Sequence, residues 1–344
     1  MMKGLVMDAD RSIRYIEQPE PELKAGHVLL DVAGCGICGS DMHVYRGSQS
    51  SWRFPVLFGH EFAGTIAAVS DDVAGFAVGD VVTVEPMTYC GTCDMCRRER
   101  YNLCPNAEMY GAELPGGFAR QIAVDQRYLV RVPDGISALQ AVISEPLATV
   151  VHGFNRLRQQ TFENVVIFGA GAIGLLAASI AISRAEHVAV VDIVPGRLQV
   201  AREIGATLAI DSGKEDVEQA VMQMTGGRKV DLCIDCAGIS SVREQAFRLI
   251  GPGSELLFIA MGHDFTEVNF RQLVSKELTA YGCQCHYMSD FVQALEAIHA
   301  GIVPFDKIVT TYPLEQGVEV FEAMKRGEDK GIKVVLIPGG EGVS

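Results

Sequence analysis

Four cysteines lie close together between residues 90 and 104, with the spacing C-x2-C-x2-C-x7-C. Thiolates are preferred zinc ligands, and four of them at such spacing are typical of a closed, tetrahedral structural site. A disulfide framework is the alternative, but 10 cysteines among 344 residues fall far below the density of disulfide scaffolds. We therefore predict a structural zinc ion bound by Cys90, Cys93, Cys96 and Cys104.

A glycine-rich turn, Gly169-Ala-Gly171-Ala-Ile-Gly174, follows a run of β-branched and aromatic residues and opens a helical stretch. In this context G-x-G-x-x-G predicts a dinucleotide site. The first glycine permits the tight turn, the second lets the backbone approach a pyrophosphate, and the third lets helix and strand pack closely. The pyrophosphate is expected at the helix N-terminus. The predicted cofactor-binding positions are Gly169, Gly171, Ile173 and Gly174.

An acidic residue, Asp192, ends the next predicted strand, roughly 20 residues beyond the turn. Its carboxylate can accept hydrogen bonds from the adenosine ribose, and it repels a 2′-phosphate, so the pattern favours NAD over NADP. Arg197 instead favours NADP, because a nearby arginine can accommodate the 2′-phosphate.

A second set of metal-binding side chains is spread along the sequence. A thiolate, an imidazole and one or two carboxylates can bind zinc and leave one position open, as catalytic sites do. Spacing alone makes this interpretation weak, because a single histidine or glutamate is more often an ordinary polar contact. The candidates are Cys38, His60, Glu61 and Glu145.

Two patterns of secondary structure divide the chain. Up to about residue 150, short strands such as 27–33, 64–69 and 80–84 are separated by glycine and proline, which predicts a mainly antiparallel β domain. From about residue 153, strands alternate with helical stretches such as 197–204 and 242–249. This alternation predicts a doubly wound parallel sheet. Its six predicted strands are 165–168, 187–191, 208–210, 230–235, 255–259 and 278–281.

The uncharged stretch 165–183 is long enough for a membrane span. The glycines near its start favour a buried strand that turns into a buried helix. After residue 288 the pattern predicts helix, strand, helix, strand, and residues 338–344 have no clear pattern. Pattern alone leaves open whether this tail extends the parallel sheet or returns to the first domain. The predicted tail elements are 291–299, 307–312, 318–326 and 332–337.

The motifs occur together in the order found in zinc-dependent medium-chain alcohol dehydrogenases, and the chain most resembles their sorbitol (polyol) dehydrogenase branch. The resemblance implies an α/β fold in which a GroES-like β-barrel catalytic domain covers 1–152 and 289–344. A doubly wound Rossmann domain covers 153–288, and the active site lies in the cleft between domains. The motifs are Gly36-Ile-Cys38-Gly-Ser40-Asp41-Met-His43, Gly59-His60-Glu61, the four-cysteine loop, Glu145-Pro146-Leu147 and the glycine turn.

The resemblance also implies residue roles. Cys38 and His60 match ligands of a catalytic zinc. Glu61 and Glu145 match acidic positions that bind the metal or its water, and the sequence leaves open which of them binds directly. The remaining matches are Ser40 and His43 as a proton relay and Thr149 as a residue that packs on the nicotinamide. The other cysteines match no ligand position, so we expect them to pack in the core.

The expected function is NAD-dependent oxidation of a secondary hydroxyl of a sugar alcohol or related sugar acid to a ketone, with two zinc ions per chain. A threonine dehydrogenase-like or polyol-phosphate activity, a ketone reductase, and a degenerate nucleotide-binding member are the alternatives. Threonine ranks lower, because threonine dehydrogenases carry aspartate where this chain has Glu145. Arg53, near the expected substrate loop 49–54, is either a partner for a substrate anion or a solvated charge.

The composition argues against some classes of binding partner. A net charge of −14, from 29 basic and 43 acidic side chains, argues against nucleic acid or an anionic membrane as the main partner. The first residues are not typical of a signal peptide, so we expect a cytoplasmic protein. The resemblance implies a homotetramer or a dimer acting on a small molecule.

Overall fold

Short strands give way to alternating strands and helices near residue 146, where the chain passes from one unit to another. The computed structural model describes residues 1–48 and 52–339. The first unit comprises 1–145, 287–299 and 309–344, and the second comprises 146–286 and 300–308. The domain boundaries that we expect after residues 152 and 288 stay a prediction.

In chain order the strands are β1 (Met2–Met7), β2 (Ile13–Gln18), β3 (His27–Gly36), β4 (Val56–Leu57), β5 (Glu61–Val69), β6 (Val81–Val84), β7 (Gln121–Asp125), β8 (Leu129–Arg131), β9 (Phe162–Phe168), β10 (Ala185–Asp192), β11 (Leu208–Asp211), β12 (Val230–Asp235), β13 (Ile250–Phe258), β14 (Thr279–Gly282), β15 (Val309–Pro313) and β16 (Lys333–Ile337). The α-helices are α1 (Gly39–Tyr45), α2 (Asp94–Arg97), α3 (Ala138–Ala141), α4 (Ser144–Asn155), α5 (Ala172–Ile182), α6 (Pro195–Glu203), α7 (Val217–Thr225), α8 (Ser240–Leu249), α9 (Phe270–Ser275), α10 (Met288–His299), α11 (Phe305–Ile308) and α12 (Gly317–Lys325). Short 3₁₀ helices cover Tyr101–Leu103, Gln126–Tyr128 and Leu314–Gln316.

The first unit is built on a largely antiparallel sheet with the strand order β15-β16-β3-β5-β6-β8, and β7 also pairs with β3. A smaller sheet has the order β2-β1-β4. This confirms the predicted antiparallel β domain. The last strand, β16, runs antiparallel to β3, with Val335 opposite Gly36. The end of the chain therefore belongs to the first sheet, which answers the question that the sequence pattern left open.

One predicted strand of the tail is wrong at its beginning. The pattern predicts a strand over 307–312, whereas the structure has helix α11 first and begins β15 at Val309. The amide of Lys307 donates to the carbonyl of Pro304 and closes a helical turn. The apolar residues at the end of this turn continue into the strand without a break in hydrophobicity, so periodicity does not mark the boundary.

Aromatic packing holds helix α12 in the core of the first unit. The ring of Phe321 lies edge-on to those of Phe58 and Phe118, with centroid separations of 5.3 and 5.8 Å. All three rings are fully buried. Edge-to-face pairs add to the stabilisation that burial provides. This packing fixes the segment immediately before β16.

The second unit is a parallel sheet with the order β11-β10-β9-β12-β13-β14. Helices connect its strands, which confirms the predicted doubly wound sheet. The uncharged stretch 165–183 forms the end of β9 and the buried helix α5. Among the described residues, no helix is long and apolar enough to span a bilayer.

Candidate metal and dinucleotide sites

The four-cysteine loop brings its sulfur atoms into one cluster in the first unit. The Sγ atom of Cys104 lies 3.6 Å from that of Cys90 and 3.8 Å from that of Cys93, and the Cys90 and Cys96 sulfurs are 3.9 Å apart. A disulfide bond is far shorter, at about 2.05 Å. A tetrahedron with zinc–sulfur bonds of about 2.3 Å has edges of about 3.8 Å. The sulfur positions therefore fit a zinc ion.

The loop also supplies hydrogen bonds to these sulfurs. The Cys96 amide donates to Cys93 Sγ at 3.4 Å, and the Cys90 amide donates to Cys104 Sγ at 3.5 Å. Backbone amides of Thr92 and Cys93 lower the pKa of the Cys90 thiol to about 5. Burial, with contacts to the neighbouring sulfurs, raises the pKa of Cys96 to about 12. Four ionised thiolates in this volume would need a compensating cation, and a Zn²⁺ ion would supply that charge.

A second cluster forms where β3 ends and β5 begins. Cys38 is the N-cap residue of α1, directly after β3, and the pairing of Gly36 with Glu61 brings the two strands together. Ligand atoms of Cys38, His60 and Glu61 all lie within 4.8 Å of one another. A thiolate, an imidazole and a carboxylate form a zinc-compatible donor set. The predicted ligands thus converge, apart from Glu145, which is outside this cluster in the described part of the chain.

Glu145 lies at the start of α4 and is buried. Its charge is among those that raise the pKa of the buried Lys333 ammonium. The residue is therefore close enough to this region to act electrostatically. Its predicted role at the metal or at a metal-bound water stays a prediction.

Asp41 links two of the clustered residues, and sequence reasoning missed it. Its Oδ2 accepts a hydrogen bond from the Cys38 amide at 2.8 Å, and its Oδ1 lies 3.5 Å from His60 Nδ1. Burial lowers the pKa of His60, but the charges of Asp41 and Cys38 outweigh burial and raise the pKa well above its usual value. A carboxylate behind a histidine is a common outer partner in metal sites. The available signal was the acidic residue at the third position of α1, a capping-box position.

Lys333 is the second residue that sequence reasoning missed. Its Nζ lies 2.6 and 2.7 Å from the two carboxylate oxygens of Glu61, and it donates to the Ile37 carbonyl at 3.0 Å. Burial lowers the pKa of Lys333, but the Glu61 carboxylate more than offsets this, so the pKa is raised. The only sequence signal is a charged residue within the apolar strand β16.

Ser40 and His43 lie on α1, three residues apart, so they share one face of the helix. Ser40 Oγ is buried and has no hydrogen-bond partner among the described residues. His43 is exposed. The pair therefore runs from a buried hydroxyl to the solvent side of the helix, an arrangement suited to moving a proton. The relay itself stays a prediction.

The glycine turn of the second unit has the backbone geometry that its motif requires. Gly169 has φ +95°, a left-handed conformation that favours glycine. A Cβ atom on Gly174 would lie 1.7 Å from the Gly169 carbonyl oxygen, whereas one on Gly171 would meet nothing within 4 Å. Gly171 is the N-cap residue of α5, and Ile173 lies in the first turn of this helix.

Asp192 is fixed beside this turn at the end of β10. Its Oδ2 accepts from the Ala170 amide at 2.6 Å, and its Oδ1 accepts from the amides of Ile193 and Val194 at 2.7 and 2.9 Å. Arg197 follows in α6 and is half-buried. The carboxylate and the free helix N-terminus thus lie at the carboxyl ends of adjacent parallel strands, where doubly wound sheets bind ligands.

Thr149, on α4, has an unexpected partner. Its Oγ1 lies 3.0 Å from His286 Nδ1, and its carbonyl accepts from Cys283 Sγ at 3.4 Å. His286 is buried. These contacts fix the orientation of the Thr149 hydroxyl.

Arg53 has a protein partner. Its guanidinium Nη2 lies 2.7 Å from Glu108 Oε1, and the side chain is largely exposed. The structure therefore favours the interpretation of Arg53 as a surface charge, and Glu108 is its ion-pair partner. Residues 49–51 of the expected substrate loop lie outside the described residues.

Comparisons with known proteins agree with this architecture. The family model for the alcohol dehydrogenase GroES-like domain matches residues 24–134, and that for zinc-binding dehydrogenases matches residues 172–300. The chain is 31% identical to sorbitol dehydrogenase of Bacillus subtilis, over 98% of this chain and 97% of that protein. It is 30% identical to L-threonine 3-dehydrogenase of Alteromonas mediterranea, over 97% and 99%.

A solved structure, that of galactitol-1-phosphate dehydrogenase from Escherichia coli, superposes with a TM-score of 0.90 at 28% identity. The match covers 98% of this chain and all of that one. The likeness therefore extends over both units of the chain.

The four-cysteine cluster predicts a specific response to Cys96→Ser. We expect this variant to lose one zinc ion per chain and to melt at a lower temperature, because three thiolates no longer complete the tetrahedron. Elemental analysis and calorimetry measure the two effects. Cys285→Ser, a change outside both clusters, is the control and should retain all bound zinc. Full zinc content in the Cys96→Ser protein would contradict the structural site.

Two alanine substitutions in one turn separate packing from ligand binding. Gly174→Ala should lower the melting temperature, because its Cβ meets backbone rather than a mobile side chain. Gly171→Ala should leave melting unchanged but weaken NADH binding by about tenfold or more, because its Cβ obstructs the pyrophosphate. Thermal melting and fluorescence titration with NADH distinguish them. Normal NADH binding by Gly171→Ala would show that the turn does not hold the pyrophosphate.

Proposed function

Because the chain belongs to the zinc-binding medium-chain alcohol dehydrogenase family, we propose that it oxidises a secondary hydroxyl of a sugar alcohol or related sugar acid to a ketone with NAD. The observation that carries the proposal is the convergence of Cys38, His60 and Glu61. These residues offer a catalytic donor set, while a separate closed set of four cysteines accounts for a structural ion. The intact first set argues against a degenerate family member.

In this proposal Cys38 and His60 hold a catalytic zinc, with Glu61 and Glu145 as the nearby carboxylates, and each chain binds two zinc ions. A zinc ion bound there would act as a Lewis acid and lower the pKa of a substrate hydroxyl. Asp41 contributes by orienting both ligands, through the Cys38 amide and the His60 ring. Misorientation of either ligand would move a bound metal ion and the substrate hydroxyl on it, and such displacements are costly in rate.

Two side chains of helix α1 are proposed to carry the proton that the substrate releases to solvent. We place Ser40 Oγ as the first acceptor of the substrate proton and His43 as the group that passes a proton to solvent; a bound cofactor would supply ribose hydroxyls as further carriers. The unsatisfied, buried Ser40 hydroxyl supports the first assignment. The exposure of His43 supports the last, because histidine side chains exchange protons readily near neutral pH.

Asp192 supports NAD as the acceptor. Its carboxylate already receives three backbone N–H bonds, and a carboxylate has about four lone-pair sites, so it retains capacity for a ribose hydroxyl. The same negative charge opposes a 2′-phosphate. Thr149, held by His286, is the proposed contact to the nicotinamide ring.

The substrate class rests on the resemblance and on one observation. The resemblance implies an aspartate in threonine dehydrogenases at the position of Glu145, which ranks threonine below the polyols. The Arg53–Glu108 ion pair leaves the arginine charge compensated, which ranks the anionic candidates, a phosphate ester and an aldonate, below an uncharged polyol. A polyol phosphate and threonine remain the alternative substrates in the test below.

We also propose that the protein is a homo-oligomer, a tetramer or a dimer, in the cytoplasm. In the second unit Met261, Phe265, Phe270 and Val274 are 78%, 88%, 71% and 72% exposed within a short segment. So much apolar surface is unusual on a monomer and marks an interface. Light scattering tests this part, and a monomeric mass would contradict it.

A substrate panel tests the function. The zinc-replete protein is assayed with polyols, aldonates, polyol phosphates and threonine, each with NAD and NADP. We expect the highest kcat/KM with NAD and a polyol or aldonate, and we expect Arg53→Ala to leave this value unchanged for an uncharged polyol. A phosphate ester or threonine as the best substrate would contradict the assigned class. Failure with every alcohol, in protein with only one zinc per chain, would indicate a degenerate member.

The proton relay has a pH signature. His43→Ala should slow turnover by about tenfold or more at low pH and less at high pH, because hydroxide can replace the missing base only when it is abundant. The comparison requires the steady-state rate over a range of pH, with His299→Ala, a change of another exposed histidine in the first unit, as control. Equal slowing at every pH would remove His43 from the relay.

A further inference from the structure

A buried arginine on helix α8 joins two segments of the second unit. Arg243 Nε donates to Asp235 Oδ2 at 2.9 Å, and the two side chains are 15% and 1% exposed. The rest of the guanidinium group faces the chain that follows β13: Nη1 donates to the His263 carbonyl at 2.7 Å, and Nη2 donates to the Ala260 carbonyl at 3.3 Å. A planar guanidinium with five N–H groups can bind such divergent acceptors at once. Arg243 therefore bridges the end of β12 and the segment 260–266.

Asp235 is bound from a second direction as well. Its Oδ1 accepts hydrogen bonds from the amides of Ala237 and Gly238, at 3.0 and 2.8 Å. Both carboxylate oxygens are therefore used, one by the turn after β12 and the other by Arg243. The guanidinium group cannot leave without unpairing a buried charge, which is costly. This fixes the position of the Arg243 side chain.

Two glycines let the segment 260–266 approach the turn after β12 closely. A Cβ atom on Gly262 would lie 2.1 Å from the Gly238 carbonyl oxygen, and the same oxygen accepts a hydrogen bond from the His263 amide at 2.8 Å. Ser240 Oγ donates to the Phe265 carbonyl at 2.6 Å. Backbone contact and hydrogen bonds thus hold the segment against the end of β12.

Apolar packing contributes little to the position of this segment. Residues 261–265 are all exposed, and Phe265 is 88% exposed. A cavity of about 370 Å³ separates part of the segment from α8, and its lining includes Arg243, Phe247 and Thr266. A segment with few buried apolar contacts has a low local stability. Its position therefore depends on polar contacts, and Arg243 supplies two of them.

This junction lies beside the glycine turn. The order of the parallel sheet reverses at β9, which has β10 on one side and β12 on the other. Asp235 lies opposite Phe168, the last residue of β9. A Cβ atom on Gly169 would lie 3.1 Å from the Ala237 amide nitrogen. The junction is therefore on the side of the glycine turn that faces away from β10.

A dinucleotide bound where the strand order reverses extends over both sides of the crevice. Asp192, at the end of β10, is the proposed partner of the adenosine ribose, so the nicotinamide half is expected over the ends of β12 and β13. AMP is the adenosine half alone, and it needs only the first side. The Arg243 junction is thus placed to act on one half of the cofactor and not on the other.

We propose that Arg243 is a positioning residue that holds the segment 260–266 against the end of β12 and thereby shapes the nicotinamide half of the cofactor site. A segment that is already in place does not have to be ordered when the cofactor binds, which favours binding. The inference rests on the proposed function, because it requires a nicotinamide dinucleotide at the glycine turn. Arg243 acts through the backbone of another segment and does not itself need to contact the cofactor.

Binding of NADH and of AMP to the zinc-replete protein separates the two halves of the site. In Arg243→Met we expect NADH to bind about tenfold more weakly, because the segment must then be ordered on binding, and AMP to bind within about twofold of wild type. Titration calorimetry measures both dissociation constants. Arg248→Met, a change on the same helix, removes only an exposed ion pair with Glu218 and should leave both constants unchanged.

Two further variants separate positioning from a merely structural ion pair. Arg243→Lys keeps a cation opposite Asp235 but loses the planar fork that also reaches two carbonyls. It should melt closer to wild type than Arg243→Met does, and it should still bind NADH more weakly than wild type. Gly262→Ala retains Arg243 but displaces the segment through its Cβ atom, so it should weaken the binding of NADH and not that of AMP.

Three results would overturn the inference. The first is an unchanged NADH affinity in folded Arg243→Met, and the second is an equal weakening of NADH and AMP. The third is wild-type NADH affinity in Arg243→Lys, which would show that the ion pair with Asp235 is sufficient. Arg243→Lys and Gly262→Ala decide the question if Arg243→Met does not fold.

The oligomeric mass of each variant is measured by light scattering alongside the titrations. A lower mass of Arg243→Met with an unchanged NADH affinity would assign the segment 260–266 to subunit assembly and overturn its role at the cofactor. A wild-type protein that binds neither NADH nor AMP would instead contradict the proposed function, so the two failures are distinguishable.

Discussion

The ion pair between Glu61 and Lys333 joins the beginning of β5 to the beginning of β16, and the two residues are 272 positions apart in sequence. Neither charge is stable in the core without the other, because an unpaired buried charge costs several kcal/mol. The pairing of Val335 with Gly36 and the bond from the Ile37 amide to the Val334 carbonyl hold β16 against β3. The Glu61 carboxylate of the candidate catalytic cluster therefore has this counter-ion only when the end of the chain has returned to the first sheet.

The two metal clusters differ in how the chain builds them. The four cysteines lie in one loop, and their positions follow from local turns and from amide hydrogen bonds to sulfur. The other cluster depends on the pairing of β3 with β5, on the capping box of α1 and on a strand from the tail. A closed local site suits a structural ion, whereas a site assembled from distant segments can retain an unused coordination position.

This difference also explains what the sequence predicts. The four-cysteine site and the glycine turn are local patterns with a definite spacing, so they can be predicted from the sequence, as can the order of strands and helices in the second unit. Asp41 occupies a capping-box position, so helix capping alone accounts for an acidic residue there. Its second contact, to His60, depends on strand pairing and has no local signal in the sequence. Lys333 has no local signal, since its partner is distant in sequence and only strand pairing brings them together. The start of β15 was mispredicted because a helical turn and the strand share one apolar run.

The central claim is that the first unit holds one closed and one open zinc site. Crystallography at the zinc absorption edge tests this claim most directly. The account predicts two anomalous peaks per chain. One should lie among the sulfurs of Cys90, Cys93, Cys96 and Cys104, and the other should contact Cys38 and His60. A single peak at the four cysteines, or a second peak away from Cys38 and His60, would contradict it.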